Sequence, residues 1–119
     1  MERKTAAIDW INLILAVALF ISPWAIGFSG AAMGNALIFG FVIGTFAIAA
    51  LVAFAQWEEW VNLVVGLWVL ISPWTLGFSA DGGAAWTHVL IGLAVAVLAG
   101  IELWAVMKHP PPREIPSAR

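Results

Sequence analysis

Apolar residues run through this chain in long blocks, and the polar residues between them recur on a fixed spacing. From Trp10 through Trp57 no side chain is ionisable, a run of 48 residues. As continuous helix this run extends about 72 Å at about 1.5 Å per residue, more than twice a bilayer core of about 30 Å. The segment therefore has to cross, turn and cross back, with the reversal expected at Gly27-Phe28-Ser29-Gly30 to Gly34, where glycines permit a tight turn. Two further runs without acidic or basic charge, Trp60 to Ala80 and Gly82 to Ile101, are each about one crossing long. The pattern predicts four helices over 8–27, 34–56, 59–78 and 85–107, with Pro110-Pro111-Pro112-Arg113 stopping the last.

The polar and aromatic positions show that the chain is one unit built twice. Trp10, Asn12, Leu13, Ile21-Ser22-Pro23-Trp24 and Gly27-Phe28-Ser29 return at an offset of 50 as Trp60, Asn62, Leu63, Ile71-Ser72-Pro73-Trp74 and Gly77-Phe78-Ser79. The outer loop of the second copy gains Asp81-Gly82, so the even helices align at an offset of 52, Gly40 with Gly92 and Asn35 with Thr87. This predicts a single all-α membrane domain over 1–119: four transmembrane helices in two tandem, parallel helical hairpins. Repeat 1 covers about 8–57, repeat 2 about 58–109, and 110–119 is expected to be a flexible Pro-rich tail.

Composition agrees with a lipid solvent: 63% of residues are hydrophobic and 10% charged, against roughly 25% charged in soluble domains. Every Lys and Arg sits toward a terminus, at Arg3, Lys4, Lys108, Arg113 and Arg119, so both termini are expected on the cytoplasmic side. Glu2-Arg3-Lys4, an apolar run and Ser29-Gly30-Ala31-Ala32 also resemble a secretory signal. Recurrence of the same pattern at Trp60 to Ser79 argues that the first helix is retained. Without Cys there is no disulfide, thiolate nucleophile or covalent haem attachment.

The Ser-Pro-Trp triplet at the outer end of each odd helix, with Trp and Asn upstream and Gly-Phe downstream, resembles the SPW-repeat family of small bacterial and archaeal membrane proteins. The resemblance covers nearly the whole chain. It implies a repeat of two transmembrane helices with the motif in the first, in a bacterial or archaeal cytoplasmic (inner) membrane, and it brings no catalytic residue or ligand.

Each motif residue has a physical reading. Pro23 and Pro73 remove a backbone donor and crowd the carbonyls of Leu19 and Val69, so each odd helix should bend or end there. Ser22 and Ser72 are placed to satisfy the freed carbonyls, since an unpaired backbone group in hydrocarbon costs several kcal/mol. Trp24 and Trp74 are expected at one membrane interface and Trp10 and Trp60 at the other; a ligand notch opened by the bend is the alternative. Gly40 and Gly44, and Gly92, Ala96 and Gly100, form small-xxx-small faces for close helix packing, within the chain or against another protein. Asn12 and Asn62 are expected to hydrogen-bond across a pseudo-twofold axis, or else to line a polar site.

Glu102 falls inside a crossing, where carboxylates are often functional. It either reaches the headgroup region or an inner partner, relays a proton or ion, or contacts another subunit; Ala50 aligns with it in the first copy. Asp9 and Glu59 are expected to complement helix dipoles, and His88 to be a polar helix end at the outer surface, with a single axial ligand to a pigment or haem, beside Trp86, as the alternative. His88 and His109 stand 21 residues apart, about 31 Å along a helix, and cannot ligate one metal together. No phosphate loop, nucleophile motif or basic nucleic-acid patch is present. No cofactor is expected.

The leading expectation is a non-catalytic membrane protein acting through helix contacts with lipid, with other membrane subunits or with itself. The alternatives are a small transporter or channel with a polar notch between the repeats at Asn12, Asn62, Ser22, Ser72 and Glu102, and a quinone- or pigment-binding redox partner.

Overall fold

A computed structural model of the protein describes residues 6–108, and every regular element in them is helical. Helix α1 (Ala6–Ser22) passes into a π-helical turn at Pro23–Gly27, followed by α2 (Gly30–Val52), α3 (Gln56–Thr75) and α4 (Gly82–Lys108). Arg3, Lys4, His109 and the Pro-rich tail 110–119 lie outside the described residues.

The reversal between α1 and α2 is tighter than the glycine spacing predicts. Only Phe28 and Ser29 lie outside helix, flanked by Gly27 and Gly30 with φ of 95° and 66°, and Gly34 is already helical. Where lipid offers no hydrogen bonds, backbone stays helical unless a left-handed residue forces it out. The link between the hairpins is likewise short, Ala53-Phe54-Ala55, and Gln56-Trp57-Glu58-Glu59, which spans the break expected between helices ending at 56 and beginning at 59, forms the first turn of α3. The Glu58 carboxylate accepts from the Ala55 N–H at 3.2 Å and holds that start in place.

Helices α1 and α2 pack together as one hairpin and α3 and α4 as the other, with lesser α2–α3 and α1–α4 contacts closing the bundle. The same close approach occurs in each hairpin. A Cβ on Gly40 would stand 3.0 Å from Ala16 O and 2.9 Å from Phe20 N, and one on Gly66 would stand 2.7 Å from Ala96 N and 3.0 Å from Gly92 O. Under the two offsets, Gly40 on Ala16 corresponds to Gly92 on Gly66. These small residues thus let backbones touch inside the chain, with Gly44 against the Ala16 Cβ. Gly100 departs from the expectation: among the described residues, nothing beyond its own stretch of helix lies within 4 Å of where its Cβ would be.

Leu19 with Val69, and Ile43 with Val95, are equivalent pairs and are all fully buried between the hairpins. The outside is also apolar. Ile14, Phe41, Val64, Leu90 and the tryptophans at 10, 24, 60, 74, 86 and 104 are exposed, a surface that suits hydrocarbon rather than water.

Three segments, Ala6–Gly27, Gly30–Val52 and Gly82–Lys108, are long and apolar enough to cross a membrane, and α3 does not reach that standard. Its helix carries Glu58, Glu59, Asn62, Ser72 and Pro73, which lower its hydropathy. All five are buried within the bundle, while Val64, Leu67 and Ile71 face outward. Hydropathy summed along a helix cannot see this separation of faces.

Candidate functional site

Polar chemistry collects at both ends of the bundle. At the end where α1 and α3 begin and α4 finishes, Asp9, Glu59 and Glu102 meet in the interior. All three are fully buried, and one carboxylate oxygen from each lies within 4.8 Å of the others. Asp9 and Glu59 are repeat equivalents. Glu102 enters from α4, where the first copy has Ala50.

One helical turn further in stand Asn12 and Asn62, also equivalent and fully buried. Among the described residues neither amide has a hydrogen-bond partner at its oxygen or its nitrogen, so the expected bond between them is not made. Each asparagine lies three residues after its carboxylate, which places both on one helix face with Cβ atoms about 5–6 Å apart. Helical side chains lean toward the helix N-terminus, the side on which Asp9 and Glu59 lie relative to the asparagines.

These positions correct one expectation. Glu102 is enclosed in the bundle rather than extended to the headgroup region, and Asp9 and Glu59, in the first turns of α1 and α3, are buried beside it. Position along a helix is legible from sequence, whereas the direction a residue faces depends on where neighbouring helices sit. One signal was available: Asp9 with Asn12 and Glu59 with Asn62 repeat the same i, i+3 pair at the same end of the chain's hairpins.

At the opposite end lies the repeated motif. The Ser22 hydroxyl donates to Leu19 O at 2.6 Å and the Ser72 hydroxyl to Val69 O at 2.7 Å, the carbonyls four residues before each proline. Each motif then closes in the same way, with Phe28 N donating to Pro23 O at 3.0 Å and Phe78 N to Pro73 O at 2.8 Å. Gly27 and Gly77, with φ of 95° and 81°, occupy the left-handed position that this helix stop requires. Pro-Trp-x-x-Gly-Phe is therefore a termination signal read twice. Trp24 and Trp74 project from it and are exposed.

The phenylalanines after those glycines converge on His88. Its ring centroid is 5.9 Å from that of Phe28 and 4.8 Å from that of Phe78. His88 is fully buried, not a polar residue at the outer surface, and its Nδ1 donates to Ala84 O at 2.8 Å. A network absent from the sequence reading joins α2 to α3 nearby: Trp68 Nε1 donates to Asn35 Oδ1, and Asn35 Nδ2 donates to Ser72 Oγ, each at 3.0 Å. The expected notch is thereby divided. Asn12, Asn62 and Glu102 share one end with Asp9 and Glu59, and Ser22 and Ser72 are engaged at the other.

Apolar helices of membrane-crossing length, polar groups turned inward and an apolar exterior define a multi-pass helical membrane protein. Residues 6–102 match the SPW repeat domain, and the chain belongs to that family. It matches no curated protein and no solved structure.

Proposed function

We propose that this is a non-catalytic protein whose four helices all cross the membrane and which works through helix contacts, as an accessory or scaffolding subunit or as a homo-oligomer. The observation that carries this reading is the outer surface. Between α1 and α2 runs a groove of about 280 Å³, lined by Val17, Phe20, Phe41, Gly44, Thr45 and Ile48. It offers shape and apolar area to a neighbouring helix and little polar chemistry to a substrate. Crossing by α3 is supported by its pairing along α4 and by the burial of its polar residues. The positions of Arg3, Lys4 and Lys108 support cytoplasmic termini, and the family resemblance supports an inner-membrane location.

Isolation from the native membrane in mild detergent, followed by mass spectrometry of what accompanies the chain, tests this reading. Recovery with other subunits in fixed ratio, or as a defined oligomer, is expected. Recovery as a monomer alone would overturn it. The second reading, a small transporter, draws support from the carboxylate and amide cluster; proteoliposome flux lost in N12A, N62A or E102Q variants would establish it in place of the first.

A further inference from the structure

We infer that Asp9, Glu59 and Glu102, with the amide oxygens of Asn12 and Asn62, form a binding site for a calcium-sized divalent cation that ties the two repeats together at one end of the bundle. This goes beyond the contact reading and holds whichever partner the outer surface meets. Two independent observations support it. Three carboxylates from three helices bring one oxygen each within 4.8 Å of one another. Two asparagines on the same helix faces are fully buried with both amide atoms lacking hydrogen-bond partners among the described residues. A buried amide without a partner is costly, and a cation among the carboxylates would be bound by the amide oxygens directly.

The donor set selects the kind of ion. All five donors are oxygens, the preference of calcium, magnesium and manganese, with no imidazole or thiolate to favour zinc or copper. Size narrows this further. Oxygens on opposite sides of Ca²⁺ stand about 4.6–5.2 Å apart at bond lengths of about 2.3–2.6 Å, whereas those around Mg²⁺ stand at most about 4.2 Å apart. A spacing of up to 4.8 Å admits the larger ion without drawing the carboxylates closer together.

Repeat symmetry accounts for four donors. Asp9 and Asn12 come from α1, and Glu59 and Asn62 are their counterparts on α3. Glu102 supplies the fifth from α4 alone, so one chain completes one site.

The test is equilibrium dialysis of the full-length chain in detergent, stripped with chelator, against ⁴⁵Ca²⁺ with and without excess Mg²⁺. The expected result is about one Ca²⁺ per chain, poorly displaced by Mg²⁺, with affinity lowered about tenfold or more in E102Q and N62A and raised in N62D, since calcium affinity follows ligand charge count. Thermal melting with and without Ca²⁺ keeps the proposal falsifiable if a variant fails to fold: the wild-type midpoint should rise with Ca²⁺. Absence of stoichiometric binding by the wild type would overturn the proposal, as would binding that E102Q and N62A leave unchanged. Arg3 and Lys4, close upstream of Asp9 in sequence, supply the competing explanation. If Ca²⁺ binds only to the R3Q/K4Q double variant, the cluster is a salt-bridge site for the chain's own basic residues and the proposal fails.

Discussion

Ser22 and Ser72 are equivalent in sequence and unequal in what they hold. Each donates to the carbonyl freed by the following proline, but Ser72 also accepts from Asn35, which is bonded in turn to Trp68. Ser72→Ala should therefore destabilise the bundle by about 1–3 kcal/mol and more than Ser22→Ala, because it leaves both a buried carbonyl and a buried amide short of a partner. Unfolding in mixed detergent micelles measures the difference. The role of Ser beside Pro was legible from spacing alone, since Leu19 and Val69 are four residues back by arithmetic. The Asn35 and Trp68 link was not, because it joins two helices whose relative rotation no local pattern encodes. The same limit hid the cluster at the other end: Asp9, Glu59 and Glu102 read as three separate carboxylates until α1, α3 and α4 are placed around one axis.

Each helix is shaped by which small residue meets its neighbour. Gly66 and Gly92 face each other's backbones, and a side chain at either would stand against main-chain atoms that cannot rotate away. Gly92→Leu is expected to separate α3 from α4 and prevent stable assembly of the second hairpin, seen as loss of a protease-resistant core. Gly100→Ala should leave stability unchanged or raise it by about 0.5–1 kcal/mol, since it meets open space and glycine is a poor helix former. The small-xxx-small pattern showed that α2 and α4 carry contact faces. It did not distinguish Gly92, which is essential to a contact, from Gly100, and it passed over Gly66, whose partner lies on another helix. Helix existence and order were legible because lipid demands long apolar runs. Helix ends shifted by a few residues because the glycines at 30 and 34 sit within a helix.

At the scale of the molecule, the two hairpins form one bundle with apolar residues both inside and outside and its buried carboxylates and amides gathered toward the two ends. A chain without cysteine allows a direct check of its path across the membrane. Single cysteines at Ser29 and Ala80 are expected to react with an impermeant thiol reagent from one side, and one at Ala55 from the other. Labelling of all three from the same side would remove the four-crossing arrangement. The inward placement of Glu58, Glu59 and Asn62 also bears on biosynthesis. The ribosome delivers α3 before α4, so a segment carrying two carboxylates and an amide reaches the translocation channel before the helix that covers them exists. If α3 crosses the membrane as proposed, its release into lipid would depend on the completion of α4, and the second hairpin would enter the membrane as a pair rather than one helix at a time.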